Sequence, residues 1–139
     1  MSNLKQKILQ HLKNDVYCQL GVSKIQGVGV FALRTIPKGF KPLKSLIRQK
    51  EVRFTPQELE DLPASVRRQM KIFCYYNDEE MLVPSIGLNG MDISIYLNHS
   101  KEPNVRFNKK NVLEAIKEIP RGEELLLDYD ISFGEKHYF

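Results

Sequence analysis

The sequence predicts a mainly β, α+β domain, and three observations carry that prediction. Short stretches rich in β-formers recur along the chain, separated by glycine and proline turns. A single central stretch carries a strong helix start. Helical periodicity is otherwise confined to the N-terminus. At 139 residues the length fits one domain, 1–139.

In order along the chain, Leu4, Ile8, Leu9 and Leu12 fall at helical spacing and predict a short amphipathic helix over residues 3–13, within an N-terminal segment 1–14. After Asn14-Asp15 the pattern changes: Val16, Cys18 and Leu20 alternate as in a strand, and Gly27 to Leu33 is a second extended piece. Pro37-Lys38-Gly39 is a turn, and residues 45–54 again read as extended. Thr55-Pro56-Gln57-Glu58 opens a helix: threonine caps, proline suits the first turn, and Glu58 can reach back to the cap amide. Pro63 interrupts that helix or begins another, while Val66, Met70 and Phe73 continue an apolar stripe, so 55–76 is a helical insertion. A short strand at 81–83, turns through Gly87 and Gly90, and a compact segment from Asp92 to Leu97 follow. Val105–Phe107 and Val112–Ile116 flank Lys109-Lys110-Asn111 as a hairpin, and Pro120-Arg121-Gly122 turns the chain into Glu124–Tyr129.

Composition narrows the function classes. Apolar residues at 42% and charged ones at 27% are those of an ordinary globular protein. No apolar run approaches the ~20 residues that span a bilayer, and the N-terminal lysines break up any signal-peptide core. An intracellular, cytoplasmic location without membrane association is the expectation. The 2 cysteines, Cys18 and Cys74, form neither a C-x-x-C pair nor a Cys/His cluster, so no metal site is expected. A net charge of +4 is mild and dispersed; without an arginine-rich arm or a stacking platform, direct nucleic-acid recognition is not expected.

Three motifs carry chemistry. Gly27-Val28-Gly29-Val30-Phe31-Ala32 fits a G-x-G-x-x-A fingerprint, but a dinucleotide site needs a helix opening at the glycines. Here β-formers continue and Pro37-Lys38-Gly39 ends any helix, so a strand bend is the residue-level reading. Tyr96-Leu97-Asn98-His99-Ser100 with Pro103-Asn104 gives N-H-S-x-x-P-N. Read alone, it is a polar turn containing a glycosylation sequon that means little without a secretory signal. Glu124-Leu125-Leu126-Leu127-Asp128-Tyr129 gives E-L-x-x-D-Y, whose tyrosine on its own is a buried aromatic at a strand end and whose carboxylates are structural.

Taken together and in this order, from about Val16 to Tyr129, these motifs resemble the SET-domain protein lysine methyltransferases. The resemblance implies a fold of several small curved sheets, a central helical insertion, and a C-terminal segment threaded under a preceding loop as a pseudoknot. It further implies S-adenosylmethionine as cofactor, S-adenosylhomocysteine as product, and no metal. Gln26, Gly27, Val28 and Gly29 would then present backbone to the methionine end of the cofactor, and Asn98 and His99 would stand beside its amino and adenine groups. Tyr129 becomes the expected catalytic residue, with Tyr96 and Leu127 in the substrate channel.

The departures are specific. Lys101 stands where a cysteine follows the serine in many members, and no cysteine-rich module flanks the motifs, as in the bare bacterial and viral type. Phe40-Lys41-Pro42-Leu43-Lys44 replaces a Y-x-G-like motif, with Tyr75, Tyr76 and Tyr96 as unranked substitutes. Phe133, Tyr138 and Phe139 in the tail 130–139 are expected to cover the site, Phe133 foremost. The expected function is methyl transfer to a lysine amine of a protein or peptide, a histone or another protein, with a homodimer allowed for. A histone substrate would move the expected location to a nucleus or to a host cell. The alternative is a non-catalytic SET-like module that binds a peptide or protein partner.

Overall fold

The computed structural model describes residues 2–46, 50–90 and 92–133. Two compact units divide the chain, one of residues 1–46 and 96–139, the other of 47–95. Among the described residues no helix is long and apolar enough to cross a membrane.

The first unit begins with helix α1 (Asn3–Asn14), capped by the Ser2 hydroxyl, which accepts from the Lys5 amide. Its apolar stripe forms as the periodicity predicts, yet no side chain of α1 is buried. Strands β1 (Cys18–Val22) and β2 (Val28–Ala32) make an antiparallel hairpin in the register Cys18 to Ala32 and Val22 to Val28. Only the Cys18 end of β1 reaches the core; Leu20, on the same face by alternation, is exposed.

Four further strands lie in this unit: β6 (Asn98–His99), β7 (Val105–Phe107), β8 (Leu113–Ala115) and β9 (Leu126–Leu127). The β7–β8 hairpin stands where the sequence puts it. In the sheet order β6-β9-β7-β8, the late strand β9 lies between β6 and β7 and runs parallel to both. The chain thus passes between the two strands that bound its own 100–104 loop, the topology expected of the pseudoknot. Ile36 and Ile119, both fully buried, exchange amide-to-carbonyl hydrogen bonds of 2.8 and 2.9 Å and tie the segment after β2 to the segment after β8. The core of the unit comprises these two together with Val30, Leu97, Val105, Leu125 and Leu127.

The second unit holds β3 (Glu51–Phe54), α2 (Pro56–Leu59), α3 (Ala64–Phe73), β4 (Tyr75–Tyr76) and β5 (Met81–Pro84), with the sheet order β3-β5-β4. The extended stretch expected from residue 45 is a strand only from Glu51; residues 47–49 of it lie outside the described residues. Thr55 and Glu58 form the full reciprocal capping box. Pro63 sits at the N-cap of α3 and divides the helical stretch in two. The helix stops at Phe73, because Tyr75 and Tyr76 pair antiparallel with Leu82 and Met81. A small core of Met70, Cys74 and Met81, flanked by Leu59, Leu62, Val66, Val83 and Leu88, closes this unit.

Candidate functional site

The site is assembled in the first unit from three segments far apart in sequence. One is the connection of residues 23–27 between β1 and β2. The Ser23 amide donates to the Gly27 carbonyl at 2.8 Å, and the Ser23 hydroxyl oxygen accepts from the amides of Ile25 at 3.0 Å and Gln26 at 3.3 Å. Gly27 takes a left-handed φ of 48°, which glycine adopts without a Cβ clash. A Cβ built on Gly27 would meet nothing within 4 Å, so the backbone there is open to an approaching ligand.

The segment of residues 122–129 runs through all parts of the site. Its first half pairs with β2: Gly122 donates to Ala32 at 2.8 Å, Ala32 to Glu123 at 2.9 Å, and Leu125 to Val30 at 2.7 Å. Its second half is β9. The Glu124 side chain, at the change of partner, lies across Gly29 and accepts from the Ser23 hydroxyl at 2.8 and 2.9 Å and from Asn98 Nδ2 at 2.8 Å. A Cβ on Gly29 would stand 2.3 Å from Glu124 Oε2 and 3.2 Å from Asn98 Nδ2. The two glycines therefore have separate causes, backbone conformation at Gly27 and close approach at Gly29.

The third segment is the loop from Leu97 to Asn104. Asn98 Nδ2 faces three acceptors, the carbonyls of Gln26 at 3.1 Å and Val28 at 3.4 Å as well as Glu124, which fixes the amide with its nitrogen toward the hairpin. Buried Asn104 donates to the Glu124 carbonyl at 2.8 Å and accepts from the Leu126 amide at 2.7 Å. It stitches the loop to β9 from its own side chain.

Asp128 follows β9 and caps helix α4 (Tyr129–Phe133), accepting at Oδ1 from the amides of Asp130 at 3.0 Å and Ile131 at 3.3 Å. The sequence reading of Tyr129 as a strand end is thereby corrected: the residue opens a helical turn because the preceding aspartate caps it. Its amide donates to His99 Nδ1 at 3.0 Å, and its hydroxyl donates to the Leu97 carbonyl. The two rings lie 5.3 Å apart, centroid to centroid. Burial raises the Tyr129 phenol above its ordinary value, so the hydroxyl keeps its proton at neutral pH.

His99, Asp128 and Asp130 each bring one potential ligand atom within 4.8 Å of the others. These donors are engaged inside the protein. The Lys101 ammonium pairs with Asp130 and, at 3.5 Å, with Asp128, and the hydrogen bond to Asp130 leads in raising the lysine's pKa. His99 Nδ1 already takes the Tyr129 amide.

Of the residues singled out from sequence, Gln26, Gly27, Val28, Gly29, Asn98, His99 and Tyr129 come together around these three segments. Tyr96 ends a single 3-10 turn, Ile93–Tyr96, just before the loop. Leu127 is 2% exposed, in register with His99 and Val105 inside the sheet. The Phe133 side chain, Tyr138 and Phe139 lie outside the described residues. Phe40, where the Y-x-G-like motif is missing, packs against Tyr17 with tilted rings and centroids 4.3 Å apart, and the Arg34 guanidinium covers the same Tyr17 ring at 3.7 Å. Glu124 has the structural role in loop hydrogen bonds that its motif suggested, but sequence reasoning missed its partner Ser23, whose only signal was a turn serine a few residues before G-x-G.

Comparison with known proteins gives the family. A family model described as the SET domain matches residues 27–130. The chain is 28% identical over 147 aligned residues to the Drosophila melanogaster histone-lysine N-methyltransferase trr, covering 99% of this chain and 6% of that protein. It is 27% identical over 135 residues to human histone-lysine N-methyltransferase 2D, covering 91% of this chain and 2% of that protein. The chain therefore spans a small fraction of both relatives. A crystal structure of a Plasmodium falciparum protein, itself a candidate histone methyltransferase, superposes with a TM-score of 0.53 at 23% identity, covering 87% of this chain and 99% of the other; that likeness bears on the fold alone. With the pseudoknotted sheet, the three converging segments and a family match over residues 27–130, this chain belongs to the SET-domain family.

Proposed function

We propose that the protein is an S-adenosylmethionine-dependent protein-lysine N-methyltransferase. The observation that carries the reading is the convergence of Asn98, the 26–29 backbone and the half-buried Tyr129 with its hydroxyl on Leu97, all within one unit. The open backbone face at Gly27 beside the oriented Asn98 amide suits a ligand carrying both a charged amino-acid end and a flat base. Gln26–Gly29, Asn98 and His99 would hold that ligand, Phe133 would help cover it, and Tyr96 and Leu127 would border the lysine. When bound, the cofactor supplies a methyl group on a cationic sulfonium.

The chain's own work is positioning. A lysine amine has a reference pKa of about 10.4 and attacks only when neutral, so the site must desolvate it. Tyr129 donates its hydroxyl hydrogen bond to the Leu97 carbonyl, so toward any further partner its oxygen acts as an acceptor that can orient an amine N–H. A phenol whose pKa is raised by burial is poorly suited to serve as a phenolate base, so its role is orientation. Asp128, committed to the α4 cap, holds Tyr129 in place. We assign no metal a part, place the protein inside the cell, and take its substrate to be a protein lysine, with a histone as the first candidate because the relatives bear that name.

The test is direct. S-adenosylhomocysteine at saturation should raise the melting temperature, because a ligand of the native state stabilises it by mass action. Asn98→Ala should abolish the shift while remaining folded. Labelled methyl donor with histones and a proteome extract should then mark a protein lysine. Absence of a thermal shift with millimolar ligand would sink the enzyme reading, whereas binding without any labelled product would favour the non-catalytic module.

A further inference from the structure

We propose that Glu124 is a positioning residue for cofactor affinity, acting as a clamp that holds the 23–29 connection and the Asn98 amide in one fixed arrangement; this rests on the cofactor reading above. Three observations converge on it. The carboxylate takes hydrogen bonds from two groups remote from each other in sequence, the Ser23 hydroxyl and Asn98 Nδ2. Ser23 in turn accepts the Ile25 and Gln26 amides, so the carboxylate is linked through one hydroxyl to the backbone that would face a ligand. A Cβ at Gly29 would stand 2.3 Å from Glu124 Oε2, so a side chain there would displace the carboxylate from this arrangement.

The consequence for Asn98 is specific. An amide surrounded by the Glu124 carboxylate and the Gln26 and Val28 carbonyls can present only its NH2 to them. Its oxygen is thereby committed to the opposite side, as an acceptor for a donor such as an ammonium or an exocyclic amine. Without the carboxylate, the amide loses its shortest bond and the Ser23 hydroxyl is free to turn. A preorganised binding surface becomes one that must be ordered at the moment of binding, and that ordering is subtracted from affinity. The residue touches no reacting atom in this scheme, so it should alter binding rather than the methyl-transfer step.

Glu124→Gln, Glu124→Ala, Gly29→Ala and the Glu124→Ala/Gly29→Ala pair should be titrated calorimetrically with S-adenosylhomocysteine, with circular dichroism confirming the folded fraction. Glu124→Gln keeps the size and loses the charge; Kd is expected to rise about tenfold, with kcat at saturating cofactor changed less than twofold. Gly29→Ala should weaken binding in the wild-type background and add little in the Glu124→Ala background, since the carboxylate that its Cβ would displace is gone and only the looser 3.2 Å approach to Asn98 Nδ2 remains. Wild-type protein that fails to bind S-adenosylhomocysteine overturns the cofactor reading and the clamp with it. Wild-type protein that binds, beside a folded Glu124→Gln that binds equally tightly, overturns the clamp alone. Full additivity of the Gly29 and Glu124 substitutions has the same consequence.

Discussion

Asn104 grips Leu126 from both ends of its own residue. The Asn104 amide donates to the Leu126 carbonyl at 3.0 Å, and its side-chain oxygen accepts the Leu126 amide at 2.7 Å. With Asn104 Nδ2 on the Glu124 carbonyl, one buried side chain satisfies a donor and an acceptor of the segment that passes between β6 and β7. A two-residue strand has little ladder of its own, and this asparagine supplies the missing bonds.

Asn104→Ala should therefore be among the most damaging polar substitutions. It takes the partner from the part-buried Leu126 amide and Glu124 carbonyl, and an unpaired backbone group away from water costs up to about 1–3 kcal/mol. A stability loss of about 2–4 kcal/mol is expected in urea unfolding. A loss under about 1 kcal/mol would mean that the loop and β9 hold together without it.

For Tyr129 the expected defect lies in turnover, not folding. Tyr129→Phe keeps the ring against His99 and removes the oxygen bonded to Leu97. Methyl transfer should fall by about 100-fold or more if a positioned hydroxyl stabilises the transition state, with cofactor binding retained. Near-normal turnover on a verified substrate would reduce Tyr129 to a packing role.

Asp128 provides the contrast between cap and base. Asparagine is as good an N-cap as aspartate, so Asp128→Asn should cost less than about 0.5 kcal/mol, whereas Asp128→Ala should cost about 1–2 kcal/mol. The Lys101 contact adds little to this, since Lys101 is largely exposed. Activity should follow the same order. A folded Asp128→Asn protein without activity would point to a catalytic carboxylate instead.

Local features were legible in the sequence and non-local ones were not. The Thr55–Glu58 capping box and the β7–β8 hairpin each close within a few residues, so propensity and turn chemistry suffice to read them. The extent of the α1 helix was legible too, but not the exposure of its apolar stripe, because periodicity says which residues share a face and not whether anything covers it. Strands β6 and β9 are two residues each and pair across a long separation, below what any period of alternation can reveal. Only the resemblance of whole motifs brought Asn98 and Tyr129 to one place. The structural role of Glu124 was legible but its partner Ser23 was not, because their partnership exists in three dimensions alone.

Alkaline pH should weaken the fold through its cysteines. Burial pushes the Cys18 thiol up to about 12 from an ordinary 9.0 and raises Cys74 as well, the latter with help from the nearby Glu51 charge. Both thiols are thus held protonated in the folded state at a pH where the unfolded chain has already lost those protons. The unfolded state binds fewer protons there, so stability falls as pH rises. For Cys18 the contribution is intact below about pH 9 and is lost progressively towards pH 12, at no more than about 1.4 kcal/mol per pH unit for one proton. Tyr129, also raised by burial, adds a loss in the same direction at higher pH. Cys18→Ala removes one of these groups while leaving a small apolar side chain at the end of β1. Urea unfolding at intervals from pH 8 to about pH 11 should show a shallower decline for the variant than for the wild type, although the variant starts lower by the cost of the lost sulfur. Parallel curves for the two proteins would mean that Cys18 ionises as readily in the folded state as in the unfolded one.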